Sequence, residues 1–78
     1  MAGLESDAER LNMEIRYNGE ALEIAPACTL AELIAAQGLT GKRIAVERNG
    51  EIVPRSQHAD CLCAAGDIIE VVHAIGGG

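Results

Sequence analysis

Tryptophan and phenylalanine are missing from this chain, and Tyr17 is its one aromatic residue. Any core must therefore be built from isoleucine, leucine, valine and alanine. Basic residues are scarce as well, with 6 Lys and Arg against 12 Asp and Glu and a net charge of −6. That sign repels phosphate backbones, so nucleic acid is not an expected partner. An anionic membrane surface is disfavoured for the same reason, whereas a complementary basic protein surface is compatible with it. No apolar run approaches the length of a membrane-spanning helix, so no membrane partner is expected. The first residues, MAGLESDAERLN, have neither a basic start nor an apolar stretch, which argues against a signal peptide. The expected compartment is the cytoplasm.

The cysteines are Cys28, Cys61 and Cys63, an odd set, whereas a secreted disulfide framework usually carries an even one. One residue separates Cys61 from Cys63, and no second Cys or His pair accompanies them, so no metal site is expected. They read as small apolar residues in a reducing compartment. A chain of 78 residues is one small domain, which buries only about 60 % of the surface its unfolded form exposes. A hydrophobic content of 49 % suffices for one core and argues against disorder. It leaves little room for a deep pocket. There is no P-loop, no G-x-G-x-x-G and no cluster of acid–base side chains. No catalytic residue and no stably bound cofactor are therefore expected.

Residues 1–12 are polar and acidic and read as a mobile extension. From Met13 the pattern becomes regular. Met13, Ile15 and Tyr17 alternate with Glu14 and Arg16, the period of a half-buried strand. Asn18-Gly19 tolerates positive φ at both positions and predicts a hairpin. Leu22 and Ile24 alternate with Glu23 on the return strand, which Pro26 ends. Thr29 and Glu32 form a capping box. Leu30, Leu33 and Ile34 follow as an apolar stripe at helical spacing. Gly38 is placed to end the helix in the left-handed conformation, giving a helix over 30–37. A third strand runs over 44–48. Asn49-Gly50 predicts a second hairpin, whose return strand, Ile52 and Val53, stops at Pro54. Residues 55–65 read as irregular, with one helical turn near Ser56 to Ala59. The last strand, 68–72, is apolar on both faces, as expected of a central strand.

The order is ββαββ followed by a final β. One helix across a mixed sheet of four to five strands is the economical packing. The first and last strands are expected to pair in parallel at the centre. The fold class is α+β, in the β-grasp or ubiquitin-like arrangement, with a domain over 13–75 and a flexible tail over 76–78.

The tail carries the chemistry. Gly76, Gly77 and Gly78 have no Cβ, so a partner's backbone can approach them closely. An extended glycine tail can enter a narrow channel and deliver one functional group, the terminal carboxylate. Adenylation by ATP would activate it as a mixed anhydride. A sulfur donor could then displace AMP and leave a thiocarboxylate. Nothing in this chain could perform those steps, so it would be carrier and substrate.

Several stretches resemble the ThiS family of thiamine-biosynthesis sulfur carrier proteins. They are MEIRYNGE from Met13, the helix start at Thr29-Leu30, IAVERNGEIVPR from Ile44, and GDIIEVVHAIGGG from Gly66. The resemblance runs from Met13 to Gly78. It implies a thiocarboxylate on Gly78, formed by an adenylating enzyme related to ubiquitin-activating enzymes, which uses ATP. It implies sulfur from a donor such as a cysteine desulfurase, and delivery to thiazole synthase. The alternative is the small sulfur-carrier subunit of molybdopterin synthase, which shares the fold and the Gly-Gly end. Those subunits approach Gly-Gly through a more apolar, proline-containing stretch, where this chain has His73-Ala74-Ile75. A protein-conjugating modifier and a cysteine redox or metal module rank lower.

Other residues read more plainly. Ala74, Ile75, Gly76 and Gly77 would lie in the partner's channel. If Ile69 and Val71 face the helix, then Ile68 and Val72 are apolar on the open sheet face and form a docking surface. The competing expectation is that segment 55–65 covers that face. His73 reads as a solvated strand end, His58 as a loop residue, and Lys42 and Arg43 as a solvated turn. Arg55 is expected to pair with a carboxylate of this chain or of a partner.

Overall fold

The computed structural model describes residues 12–74. The expected mobile extension over 1–12 falls outside the described residues except for Asn12, and Ile75, Gly76, Gly77 and Gly78 also lie outside them. The alternating segments form strands β1 (Met13–Tyr17), β2 (Glu20–Ile24), β3 (Ile44–Arg48), β4 (Glu51–Ile52) and β5 (Ile68–His73). They make one sheet in the order β2-β1-β5-β3-β4. Strand β5 is central, parallel to β1 and antiparallel to β3. The sheet is thus mixed and five-stranded, with α1 (Leu30–Ala36) on one face.

The local signals explain these elements. Both Asn-Gly dipeptides adopt positive φ at each position, at 51° and 87° for Asn18-Gly19 and 54° and 88° for Asn49-Gly50. That twist matches the flanking strands. Thr29 caps α1 reciprocally. Its hydroxyl accepts from the Glu32 N–H at 3.1 Å, and the Glu32 carboxylate accepts from the Thr29 N–H at 3.0 Å. Such a cap contributes about 1 kcal/mol. The helix stops at Ala36 with Gln37 as its C-cap, one residue earlier than expected, and Gly38 takes φ +75° just beyond.

Leu30, Leu33 and Ile34 of α1 pack on Ile15, Ile24, Val46, Ile69 and Val71 of the sheet, with Cys63 at the margin. Each fully buried aliphatic side chain stabilises the fold by about 1.5–3 kcal/mol. The core is entirely aliphatic apart from that cysteine. Among the described residues, no helix is long and apolar enough to cross a membrane.

Two expectations need correction. The fourth strand is Glu51–Ile52, not Ile52 and Val53; the Val53 N–H still donates to the Val46 carbonyl at 2.9 Å, but Pro54, which has no N–H, follows it and the strand goes no further. Segment 55–65 does not cover the open face. Its first part is a 3₁₀ helix, Arg55–Asp60, packed beside α1 on the core side of the sheet.

Candidate functional site

Strand β5 carries the chain toward its terminal glycines from the middle of the sheet. Its pairing with β1 ends at Tyr17↔Ile69, while its pairing with β3 continues to Ile44↔His73. One step beyond the strand, the Ala74 N–H donates to the Arg43 carbonyl at 2.9 Å. The chain is therefore held up to Ala74, the last described residue of the expected tail path.

The alternation of β5 is the expected one. Ile69 and Val71 are buried, whereas Ile68 is 50 % and Val72 60 % exposed. The ladder register places Val72 opposite Ala45, and Glu47 opposite both Glu70 and Ile52. Ile68, Val72 and Ala45 thus share the helix-free face with Ile52, which is also exposed. Glu47 and Glu70 are like charges directly across the ladder, an arrangement that is destabilising in isolation and favours a basic counterpart.

Two asparagines hold β5 in a way that the hairpin reading missed. Where β1 turns away, the Asn18 side-chain oxygen accepts from the Val71 N–H at 2.8 Å. Where β3 turns away, the Asn49 side-chain oxygen accepts from the Ile68 N–H at 2.9 Å, and the Asn49 N–H donates to the Ile68 carbonyl at 2.7 Å. In each case the amide oxygen replaces a main-chain carbonyl that the positive-φ turn has rotated out of the ladder. The Val71 bond is part-buried, where an N–H left unpaired would cost about 1–3 kcal/mol, whereas the Ile68 bond is exposed to water and contributes less.

Asp67, 6 % exposed, closes the same end. It accepts from Arg48 Nε at 2.9 Å, from the Asn49 side-chain amide at 3.1 Å and from the Ala64 N–H at 2.8 Å. Burial opposes its charge, but those hydrogen bonds outweigh it and hold the carboxyl below its ordinary value. The available signal was an acid just before an apolar strand, paired with an arginine just before Asn-Gly.

His58 is buried, against expectation, and its Nε2 lies 2.9 Å from the Val53 carbonyl, so that nitrogen carries the proton and donates. Arg55 donates to the Lys42 carbonyl at 2.7 Å, not to a carboxylate of the described chain. His73, Lys42 and Arg43 are exposed. All three cysteines are free thiols. Burial pushes the Cys63 thiol up to about 11, with Cys28 beside it adding to the effect. A thiol in that state is a poor nucleophile near neutral pH.

The ThiS family model matches residues 15–78. Thiazole synthases from Paramagnetospirillum magneticum and Magnetococcus marinus are each 39 % identical over 66 residues, 85 % of this chain. The chain spans about a fifth of their length, 20 % in each case. The sulfur carrier protein ThiS of Bacillus subtilis is 38 % identical over 50 residues, covering 64 % of this chain and 76 % of its own. The crystal structure of the thiamine biosynthesis protein ThiS from Geobacter metallireducens superposes with a TM-score of 0.75 at 28 % identity. That match covers 85 % of this chain and 100 % of the other.

Proposed function

The chain belongs to the ThiS family, and from that premise we propose that it carries sulfur for thiazole formation in thiamine biosynthesis, as a thiocarboxylate on Gly78. The observation that carries the reading is the central strand β5. It is clasped on both sides, tied through Ala74 to Arg43, and followed in sequence by Ile75 and three glycines. The held strand is thus followed, one residue past Ala74, by three residues without side chains.

The chemistry belongs to partners. An adenylating enzyme binds ATP and presents it to the tail. The Gly78 carboxylate attacks the α-phosphorus and pyrophosphate leaves. A sulfur donor such as a cysteine desulfurase then presents a persulfide whose outer sulfur displaces AMP. A thiol reductant cleaves the resulting acyl disulfide, leaving the thiocarboxylate on Gly78 and a disulfide on the donor side. The chain acts as carrier and co-substrate in the cytoplasm, with Ala74, Ile75, Gly76 and Gly77 in the partner's channel and Val72 and Ile68 on its surface. Thiazole synthase is the acceptor. A segment like this one accounts for a fifth of two chains bearing that name, which supports that partner.

Intact-mass analysis tests the reading. With the adenylating enzyme, ATP and a sulfur donor, the full chain gains one sulfur in place of one oxygen at Gly78. A chain lacking Gly77 and Gly78 stays folded and gains none. Two extended residues span about 7 Å, far beyond the ~1 Å misplacement that already damages catalysis. Sulfur found instead as a reducible persulfide on Cys28, Cys61 or Cys63 would overturn the proposal.

A further inference from the structure

The loop after α1 folds back on itself. The Leu39 N–H donates to the Ile34 carbonyl at 3.0 Å and the Lys42 N–H to the Leu39 carbonyl at 2.9 Å. Between this loop, α1, the 3₁₀ helix and the start of β3 lies an open cleft of about 270 Å³. Its lining is apolar, from Ala31, Ile34, Leu39 and Ile44, with Lys42 and Arg55 as its cations. Arg55 is positioned by its bond to the Lys42 carbonyl, made through one terminal nitrogen, which leaves its other N–H groups for an anion. Among the described residues, the ion pair is Arg48–Asp67, and no carboxylate pairs with Lys42 or Arg55.

We propose that this cleft is a second docking point for the adenylating enzyme, which inserts into it one apolar side chain flanked by a carboxylate that Lys42 and Arg55 hold. The inference rests on the carrier reading above. It is supported by place, because Ile44 in the cleft wall lies opposite His73, and the neighbouring Arg43 carbonyl anchors Ala74. An enzyme that takes the tail must therefore approach this rim. It is supported by charge as well. The open sheet face presents Glu47 and Glu70, while Lys42, Arg43 and Arg55 gather at the end from which the tail leaves. A partner that is basic over the face and acidic at the rim meets this surface in one orientation. Orientation matters here because the carboxylate must arrive at a fixed depth.

The experiment measures the KM for the carrier in ATP–pyrophosphate exchange by the adenylating enzyme. Two cleft variants are compared with the unaltered chain, the charge reversal Lys42→Glu/Arg55→Glu and the filling variant Ala59→Phe, with folding checked by circular dichroism. Ala59 lines the cleft and is exposed, so the filling variant tests the cavity without touching the charges. Both should raise KM about tenfold with kcat unchanged, and the charge reversal should flatten the salt dependence. A KM within about twofold of the unaltered chain for both folded variants overturns the inference while the carrier reading stands. Absence of exchange with the unaltered chain removes the carrier reading and this inference together. Amide shifts at Ile34 and Ile44 on adding AMP without enzyme would also overturn it, by assigning the cleft to a small anion.

Discussion

The Asn49 side-chain amide donates to the Asp67 carboxylate at 3.1 Å, which joins the second hairpin turn to the residue just before the central strand. The same asparagine accepts from the Ile68 N–H through its side-chain oxygen. One side chain therefore shapes the turn, completes the β3–β5 ladder and helps keep a buried carboxylate charged. Arg48 completes the group from the adjacent position. The cluster lies at the opposite end of β5 from Ala74, so it holds the strand while leaving the tail end free of charge pairing.

Acid should expose the role of Asp67. Its folded carboxyl titrates below the unfolded value, which is about 3.9. The stability it contributes is therefore complete above that value and is lost as the pH falls through the lower, folded one. Asp67→Asn should remove that acid limb and cost about 1–3 kcal/mol at neutral pH, because one of the two accepting oxygens becomes an NH2 donor that faces donors, and the charge opposite Arg48 is lost. Urea unfolding measured from neutral to acid pH checks both parts. An unchanged acid limb in Asp67→Asn would assign it to other carboxylates.

Glycine substitution separates the two roles of the turn asparagines. Asn18→Gly and Asn49→Gly keep a residue that accepts positive φ, so a role in the turn alone predicts little change. Loss of the acceptor for the part-buried Val71 N–H instead predicts about 1 kcal/mol or more of destabilisation, and loss of the acceptor for the exposed Ile68 N–H a smaller one. Hydrogen exchange at the amides of Val71 and Ile68 should accelerate in the matching variant. Equal protection in both would mean that the side-chain oxygens are dispensable.

Adjacent valines should behave oppositely. Val72→Asp places a carboxylate on the open face, and the domain should fold while binding its partners more weakly. Val71→Asp places an unpaired charge in the core, at a cost of several kcal/mol, and should unfold the domain. Circular dichroism and partner titration read the two effects. Exchanged phenotypes would place β5 one residue out of register.

The cysteines should be spectators. Replacing Cys28, Cys61 and Cys63 together by alanine should leave thiocarboxylate formation intact, with a modest loss of stability from the buried Cys63. In the native chain, Cys63 should resist alkylation at neutral pH and react as the pH nears its raised value of about 11. A cysteine-free chain that folds yet accepts no sulfur would contradict this expectation.

The sequence by itself determined the elements that depend on neighbours along the chain. Alternating Met13, Ile15 and Tyr17, the two Asn-Gly turns, the Thr29–Glu32 box and the two-faced apolar β5 each encode a backbone preference within a few residues. Together they left one economical sheet. The glycine end and the stretch from Ile44 to Arg55 carried the family resemblance in the same way. Only the tertiary structure decided the interactions that join distant segments. Nothing near Asn18 indicates that its amide oxygen would meet the Val71 N–H, 53 positions away in sequence. Asp67 reads as a turn residue until Arg48 and Asn49 are folded against it. His58 looks like a loop side chain until the 3₁₀ helix packs beside α1 and buries it. The cleft between that helix and residues 39–43 has no sequence signature at all. Its walls come from separate elements, and its shape exists only once the core has set their spacing.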